Sequence, residues 1–349
     1  MESVEKNCKK DETTNRKTYL DIAKGILIIL VIIGHSKLDK TFPIVRNIYW
    51  FHMPTFFIIS GYLFKPYKND FILWFNRKFK IFFIPYMSYS LIILLILYHS
   101  NIKMLIKQCI KYIYSGRLIS GAYWFIPCLF LTEIVFGLLV NKFKKRNIIF
   151  LLIIIYLLAH LESIYYIPKD NNYFYWSYIY KIPWNADVCL VSLPYFGVGF
   201  YCKKIINSID ENFKLSVFFL LCLICITLTT ASYYKILNYS LDMKLSHYSN
   251  ILLDIIIPVT FTIWIIMLSK LISYINISRS LAYIGMNTLP IMYLHLPINE
   301  VLLSYHNYGN LIFIIVGFTL PLCFAYVCSK SKKLKFYFIG TNSKKISIK

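Results

Sequence analysis

Charge is what this sequence has least of. Only 15% of its 349 residues are Asp, Glu, Lys or Arg, while 58% are apolar. That balance excludes a soluble globular domain and fits a chain whose solvent is lipid. GxxxxGK[ST], GxGxxG, HExxH and GxSxG are all missing, so ATP-driven transport and metalloprotease chemistry lack support. The chain also has no low-complexity linker, no soluble second domain and no repeat of about 20 to 50 residues. Its nine cysteines are scattered, mostly within apolar runs, and a disulfide framework is not expected. Cys222 and Cys225 have a CxxC spacing without a nearby His, Asp or second pair, so small apolar packing is the better reading and no metal is expected.

What the chain has instead is apolar runs, at 19–38, 48–64, 81–99, 122–140, 148–162, 187–202, 215–234, 250–269, 281–299 and 310–329. Those at 48–64, 148–162 and 187–202 are short and therefore tilted or partly buried. The expected fold is all-α, a polytopic membrane helix bundle of about ten transmembrane helices. With the amino terminus placed in the cytoplasm, 27 of the 38 Lys and Arg fall on the inner side. This bias puts both termini inside and accounts for the +22 formal charge without nucleic acid. Residues 1–18 read as a cytoplasmic tail, not a cleaved signal peptide. Residues 19–329 form the transmembrane domain, and 330–349 a basic cytoplasmic tail held to anionic lipid.

Lys24 and His35 stand eleven residues apart in the first run. Eleven helical steps close to within about 20° of three turns, so the two share a face roughly 16 Å apart along the axis. An ionisable residue inside a membrane helix is costly unless it meets a cavity or a partner, which makes His35 a functional candidate. Few residues separate the first two runs, so they form an antiparallel hairpin that brings His52 to the level of His35. Pro54 is expected to kink the second helix, and Ser60-Gly61 to permit close approach. Histidine can accept a proton from a hydroxyl or carry an acyl group itself; a packing role through an interhelical hydrogen bond is the alternative.

Other candidates carry two readings each. Lys24, Arg77 and Lys80 are positive-inside anchors or an inner cationic mouth for the phosphates of a nucleotide-containing donor. Tyr173-Phe174-Tyr175-Trp176, Trp184-Asn185-Ala186-Asp187, Tyr239 and His247 are an aromatic belt or a carbohydrate platform. Asp187, a carboxylate at a span entrance, requires a partner. His295 has either a satisfied interhelical bond or a role at the site.

The segments Tyr19-Leu20-Asp21-Ile22-Ala23-Lys24-Gly25 to Gly34-His35-Ser36, Phe51-His52-Met53-Pro54 to Ser60-Gly61-Tyr62, and Arg77-Lys78-Phe79-Lys80-Ile81 before Pro85-Tyr86 together resemble the acyltransferase 3 family of integral membrane O-acyltransferases. That family carries a basic residue, ten intervening residues and a histidine in its first helix. Tyr123-Trp124-Phe125-Ile126-Pro127 resembles its Trp-Phe-Leu segment. Pro183-Trp184-Asn185-Ala186-Asp187 and Ile284-Gly285-Met286-Asn287-Thr288 with His295 are similar to landmarks of its fucose O-acetylase-like branch. Lys24 stands where many members have Arg, which keeps the charge but not a bidentate fork. An appended SGNH-type domain is not expected, so the acyl group would pass straight to its acceptor.

The resemblance implies a multi-pass enzyme of the bacterial cytoplasmic membrane. It would move an acetyl or other short acyl group from cytoplasmic acetyl-CoA to a hydroxyl of a surface glycan or lipid-linked glycan. His35, with His52, would be catalytic, Lys24, Arg77 and Lys80 would meet the donor, and Asp187, Trp124, Trp184 and His295 would bind or orient the acceptor. A polysaccharide exporter is the second reading and a membrane glycosyltransferase the third; neither finds a convincing repeat or a large external loop here.

Overall fold

The computed structural model describes residues 17–98, 101–114, 121–167 and 182–340. The aromatic run 173–176, residues 1–16 and residues 341–349 lie outside the described residues. In chain order the helices are α1 (Thr18–His35), α2 (His52–Leu63), α3 (Phe71–Tyr98), α4 (Ile102–Tyr114), α5 (Phe125–Lys142), α6 (Lys145–Tyr165) and α7 (Cys189–Tyr201). Then follow α8 (Lys203–Glu211), α9 (Leu215–Tyr233), α10 (Leu253–Ile272), α11 (Ser278–Met286), α12 (Thr288–Tyr305), α13 (Asn310–Ser329) and α14 (Lys332–Phe338).

The protein is a polytopic helical bundle, and every apolar run in its sequence is helical. Among the described residues seven helices, α1, α3, α5, α6, α9, α10 and α13, are long and apolar enough to cross a membrane singly. The short runs behave differently. At 12 residues, α2 spans only about 18 Å of a roughly 30 Å hydrocarbon layer, and the chain bends by 59° where α7 passes into α8. The run 281–299 is not one helix: the chain breaks at Asn287, separating α11 from α12. Nor does Pro54 kink the middle of its helix. Because α2 begins at His52, Pro54 falls in the first turn, where a missing N–H costs no intrahelical bond.

α1 runs through the middle of the bundle, packed by α2, α10, α11, α12 and α13. Its closest neighbour is α11, and the crossing point is glycine on both sides. A Cβ on Gly25 would overlap the carbonyl of Leu281, and one on Gly285 the carbonyl of Asp21. The same device joins α2 to α7, where Gly61 lies against the Phe196 backbone and Gly199 against that of Ile58. Without side chains between them the backbones approach closely, and dispersion contacts replace the hydrophobic drive that lipid cannot supply.

Between α9 and α10 the chain folds into a short antiparallel hairpin, β1 (Leu241–Asp242) and β2 (His247–Tyr248). Two segments fasten it by hydrogen bonds: the Tyr248 N–H donates to Ser163 Oγ of α6 at 2.8 Å, and Ser246 Oγ donates to Asp187 Oδ2 just before α7 at 2.7 Å. Beside it α6 is tied to α10, where His160 meets Asp254 at 3.0 Å.

Candidate active site

One wall of a cavity of about 590 Å³ is the stripe Lys24, Ile28, Val31 and His35 of α1. The spacings of four, three and four are those of one helical face, so the cavity runs the length of α1 from the ammonium to the imidazole. His52, Phe56 and Ser60 of α2, Trp124 and Phe125 at the start of α5, and Thr288 and Met292 of α12 complete its sides. The hairpin residues Asp242 and Lys244 lie on the same cavity wall.

Hydrogen bonds assign the protons on three imidazoles. His295 Nδ1 lies 2.8 Å from the Ile291 carbonyl, which can only accept, so this nitrogen carries the proton. The neutral ring then offers a lone pair at Nε2, 3.1 Å from His35 Nδ1. His35 donates there, leaving its own Nε2 with a lone pair. His52 follows the same logic: its Nδ1 donates to the Ile48 carbonyl at 2.7 Å, and Nε2 is the acceptor. Tyr49, edge-on to His52 with ring centroids 5.3 Å apart, donates its hydroxyl to the Gly34 carbonyl at 3.0 Å and ties the turn before α2 to the end of α1. Behind His295, Asn299 Nδ2 donates to the His295 carbonyl at 2.7 Å and Tyr308 donates to Asn299 Oδ1 at 2.7 Å.

At the opposite end Lys24 Nζ pairs with Asp21 Oδ1 one turn earlier, 2.8 Å away. The pair holds the ammonium at the cavity wall beside the first turn of α12, whose amino end opens there because of the break at Asn287. A cation and a helix amino terminus together form a setting that suits anionic oxygen.

The remaining sequence candidates divide. Trp124 lines the cavity, and His295 touches it through His35. Arg77 and Lys80 do not: both are exposed on α3, and neither lies on the cavity wall. Between them Lys78, one helical turn beyond the inward-facing Trp74, turns into the bundle to pair with buried Glu133 of α5. Trp184 faces elsewhere too. Its backbone is left-handed at φ 58°, its indole N–H donates to the Ile113 carbonyl at 2.9 Å, and its ring packs on Phe83. Asp187 is buried but acts at one remove, through Ser246, on the hairpin.

Asp242 and Lys244 were not among the sequence candidates. Their signal was the alternation Leu241-Asp242-Met243-Lys244-Leu245, a period of two in an otherwise helical chain. Lys244 Nζ donates to the Gly121 carbonyl at 3.2 Å, which joins the hairpin to the start of α5. Asp242 retains some exposure, yet the surrounding packing pushes its carboxyl above the ordinary range; the Leu245 N–H and the Lys244 ammonium offset this only in part. Among the described residues no group of three His, Cys, Asp or Glu is arranged to hold a metal ion.

A half-buried imidazole joined by one continuous cavity to a half-buried ammonium is an arrangement that suits a membrane acyltransferase, and the comparison with known families agrees. The profile of the acyltransferase domain matches residues 17–330. The chain belongs to the acyltransferase 3 family. It is 48% identical over 60 residues to nodulation protein NolL of Mesorhizobium japonicum, covering 15% of this chain and 16% of that one. With nodulation protein NolL of Sinorhizobium fredii it shares 42% over 69 residues, 17% of this chain and 19% of the other. The chain thus spans under a fifth of either relative. No solved structure matches.

Proposed function

We propose that this acyltransferase moves an acetyl group from acetyl-CoA, entering at the Lys24 end from the cytoplasm, to a hydroxyl of a carbohydrate presented at the His35 end outside. The observation that carries this reading is the single cavity along α1 with an ammonium at one end and an imidazole lone pair at the other. The span of roughly 16 Å between them suits an extended pantetheine arm. Donor phosphates would lie at Lys24 and the first turn of α12, the arm along Ile28, Val31 and Phe56, and the thioester beside His35.

His35 Nε2 takes the proton of the acceptor hydroxyl as its oxygen attacks the thioester carbonyl carbon. Positive charge grows on the imidazole, and the bond from Nδ1 to His295 holds the ring in the orientation that presents Nε2. The oxyanion of the tetrahedral intermediate forms in a mouth bearing the Lys244 ammonium. The carbon–sulfur bond then breaks, coenzyme A leaves as thiolate, and the imidazolium returns the proton to sulfur. The same lone pair can instead hold the acetyl group transiently, with the hydroxyl attacking in a second step.

The test is transfer of labelled acetyl from acetyl-CoA to surface glycan in membranes carrying wild type or His35→Ala. Loss of label with normal expression supports the reading. Retained turnover overturns it, and glycan export without acetylation would make the protein an exporter.

A further inference from the structure

A second cavity, of about 600 Å³, opens between α4, α5 and the turn before α7. Its walls include Ile110, Ile113, Leu131, Pro183 and Trp184, and among the described residues none of its lining belongs to the cavity along α1. The lining is almost wholly apolar. Its indole N–H is already given to the Ile113 carbonyl, so what the groove offers a guest is an apolar surface.

The helix above it has three distinct sectors. Buried Tyr112, with half-buried Leu105 and Cys109, faces the protein; Tyr86 donates to the Tyr112 carbonyl at 2.6 Å and fixes the helix against rolling. Ile102, Ile106, Ile110 and Ile113 are all exposed, at 55% or more, on the adjoining sector. Lys103, Lys107 and Lys111, spaced by four, form the third. Successive fourth residues drift by only about 40° and lie roughly 6 Å apart, so the three ammonium groups form one stripe beside the apolar one. An apolar groove with a cationic rim is complementary to an amphiphile that is anionic at its head.

We propose that α4 and this groove bind an anionic phospholipid from the leaflet on the His35 side, one acyl chain lying against Trp184 and Leu131 and the phosphate between Lys107 and Lys111. A neutral lipid would leave the stripe unmatched. A lipid-linked glycan acceptor is disfavoured because a reactant's carrier would be expected to share a wall with the cavity that holds His35. The site stands independently of the acyl-transfer reading.

The test uses the full-length protein in phosphatidylcholine vesicles doped with phosphatidylglycerol or phosphatidylcholine whose acyl chains are brominated. Bromine quenches an indole that it touches, and the difference between wild type and Trp184→Phe isolates Trp184. The Trp184 signal is expected to be half-quenched at a mole fraction of brominated phosphatidylglycerol about fivefold or more below that of brominated phosphatidylcholine. Lys103→Gln/Lys107→Gln/Lys111→Gln should bring the two lipids together. Native mass spectrometry of the wild type, which needs no change at Trp184, should find phosphatidylglycerol retained and less of it in the triple variant. Equal quenching by both lipids, or quenching indifferent to the lysines, overturns the proposal in favour of an ordinary lipid annulus. Displacement by a lipid-linked glycan but not by phosphatidylglycerol would make the groove a substrate site instead. None of these readouts depends on acetyl transfer.

Discussion

His295 is the hydrogen-bond acceptor that decides which nitrogen of His35 is basic. The two rings come from helices 260 residues apart in sequence, 3.1 Å between His35 Nδ1 and His295 Nε2. Because His295 is itself fixed by the Ile291 carbonyl, the orientation of the catalytic candidate is inherited from the backbone of α12.

Replacing His295 should therefore damage turnover more than donor binding. His295→Ala is expected to lower kcat by about 10²-fold or more with donor KM little changed. His295→Gln, which can offer an amide oxygen to His35 Nδ1, should recover part of the loss. Equal effects on kcat and donor KM would place His295 in donor binding instead.

For the donor end, Lys24→Ala should raise the KM for acetyl-CoA by about tenfold, the scale of one charge-assisted contact. Lys24→Arg should be milder. Arg77→Gln and Lys80→Gln should leave that KM within about twofold, as expected for exposed charges away from the cavity. Steady-state kinetics at saturating acceptor would separate these outcomes.

A pH profile should expose Asp242. Its carboxyl is held above the ordinary range by burial, so on acidification it takes up a proton before exposed carboxylates do. The Lys244 ammonium then loses its negative neighbour and acts more strongly on the oxyanion, so this protonation by itself should speed transfer. Asp242→Asn should be faster at neutral pH and its profile should lack that step. Stability follows the same direction: the raised value favours the folded state when the group is protonated, and the contribution is lost as pH rises through it. Asp242→Asn should thus raise Tm at neutral pH, measured by thermal unfolding in detergent.

The glycine crossings should tolerate no side chain. Gly285→Ala and Gly61→Ala press a methyl group into a facing backbone and should each lower stability by about 1–3 kcal/mol or prevent folding. Gly309→Ala, with nothing within 4 Å of the added atom, is the control and should leave Tm and yield nearly unchanged.

The sequence made the stripe on α1 legible because Lys24 and His35 are linked by local helical periodicity alone. The hairpin of the first two helices was legible for a similar reason, since a short connection leaves them no other arrangement. Helix phase relative to distant neighbours was not. Lys78, rather than Arg77 or Lys80, faces inward because Trp74 and Glu133 create a place for it. Trp184 is diverted from the cavity by a left-handed backbone that composition does not announce. The pairing of His35 with His295 and the arrival of Asp242 and Lys244 both depend on contacts made across most of the chain, where spacing carries no information.

At the Gly25–Gly285 contact the main chains of α1 and α11 touch directly, so the seat beside Lys24 has dimensions fixed by peptide geometry. The opposite mouth has no such backbone contact; its hairpin is held by side chains, through the buried Leu241, Met243 and Tyr248 and the bonds of Ser163, Asp187 and Lys244. In the proposed reaction, descendants of this chain could change which alcohol they esterify by rewriting a few loop residues while inheriting the seat of the donor's phosphates unaltered.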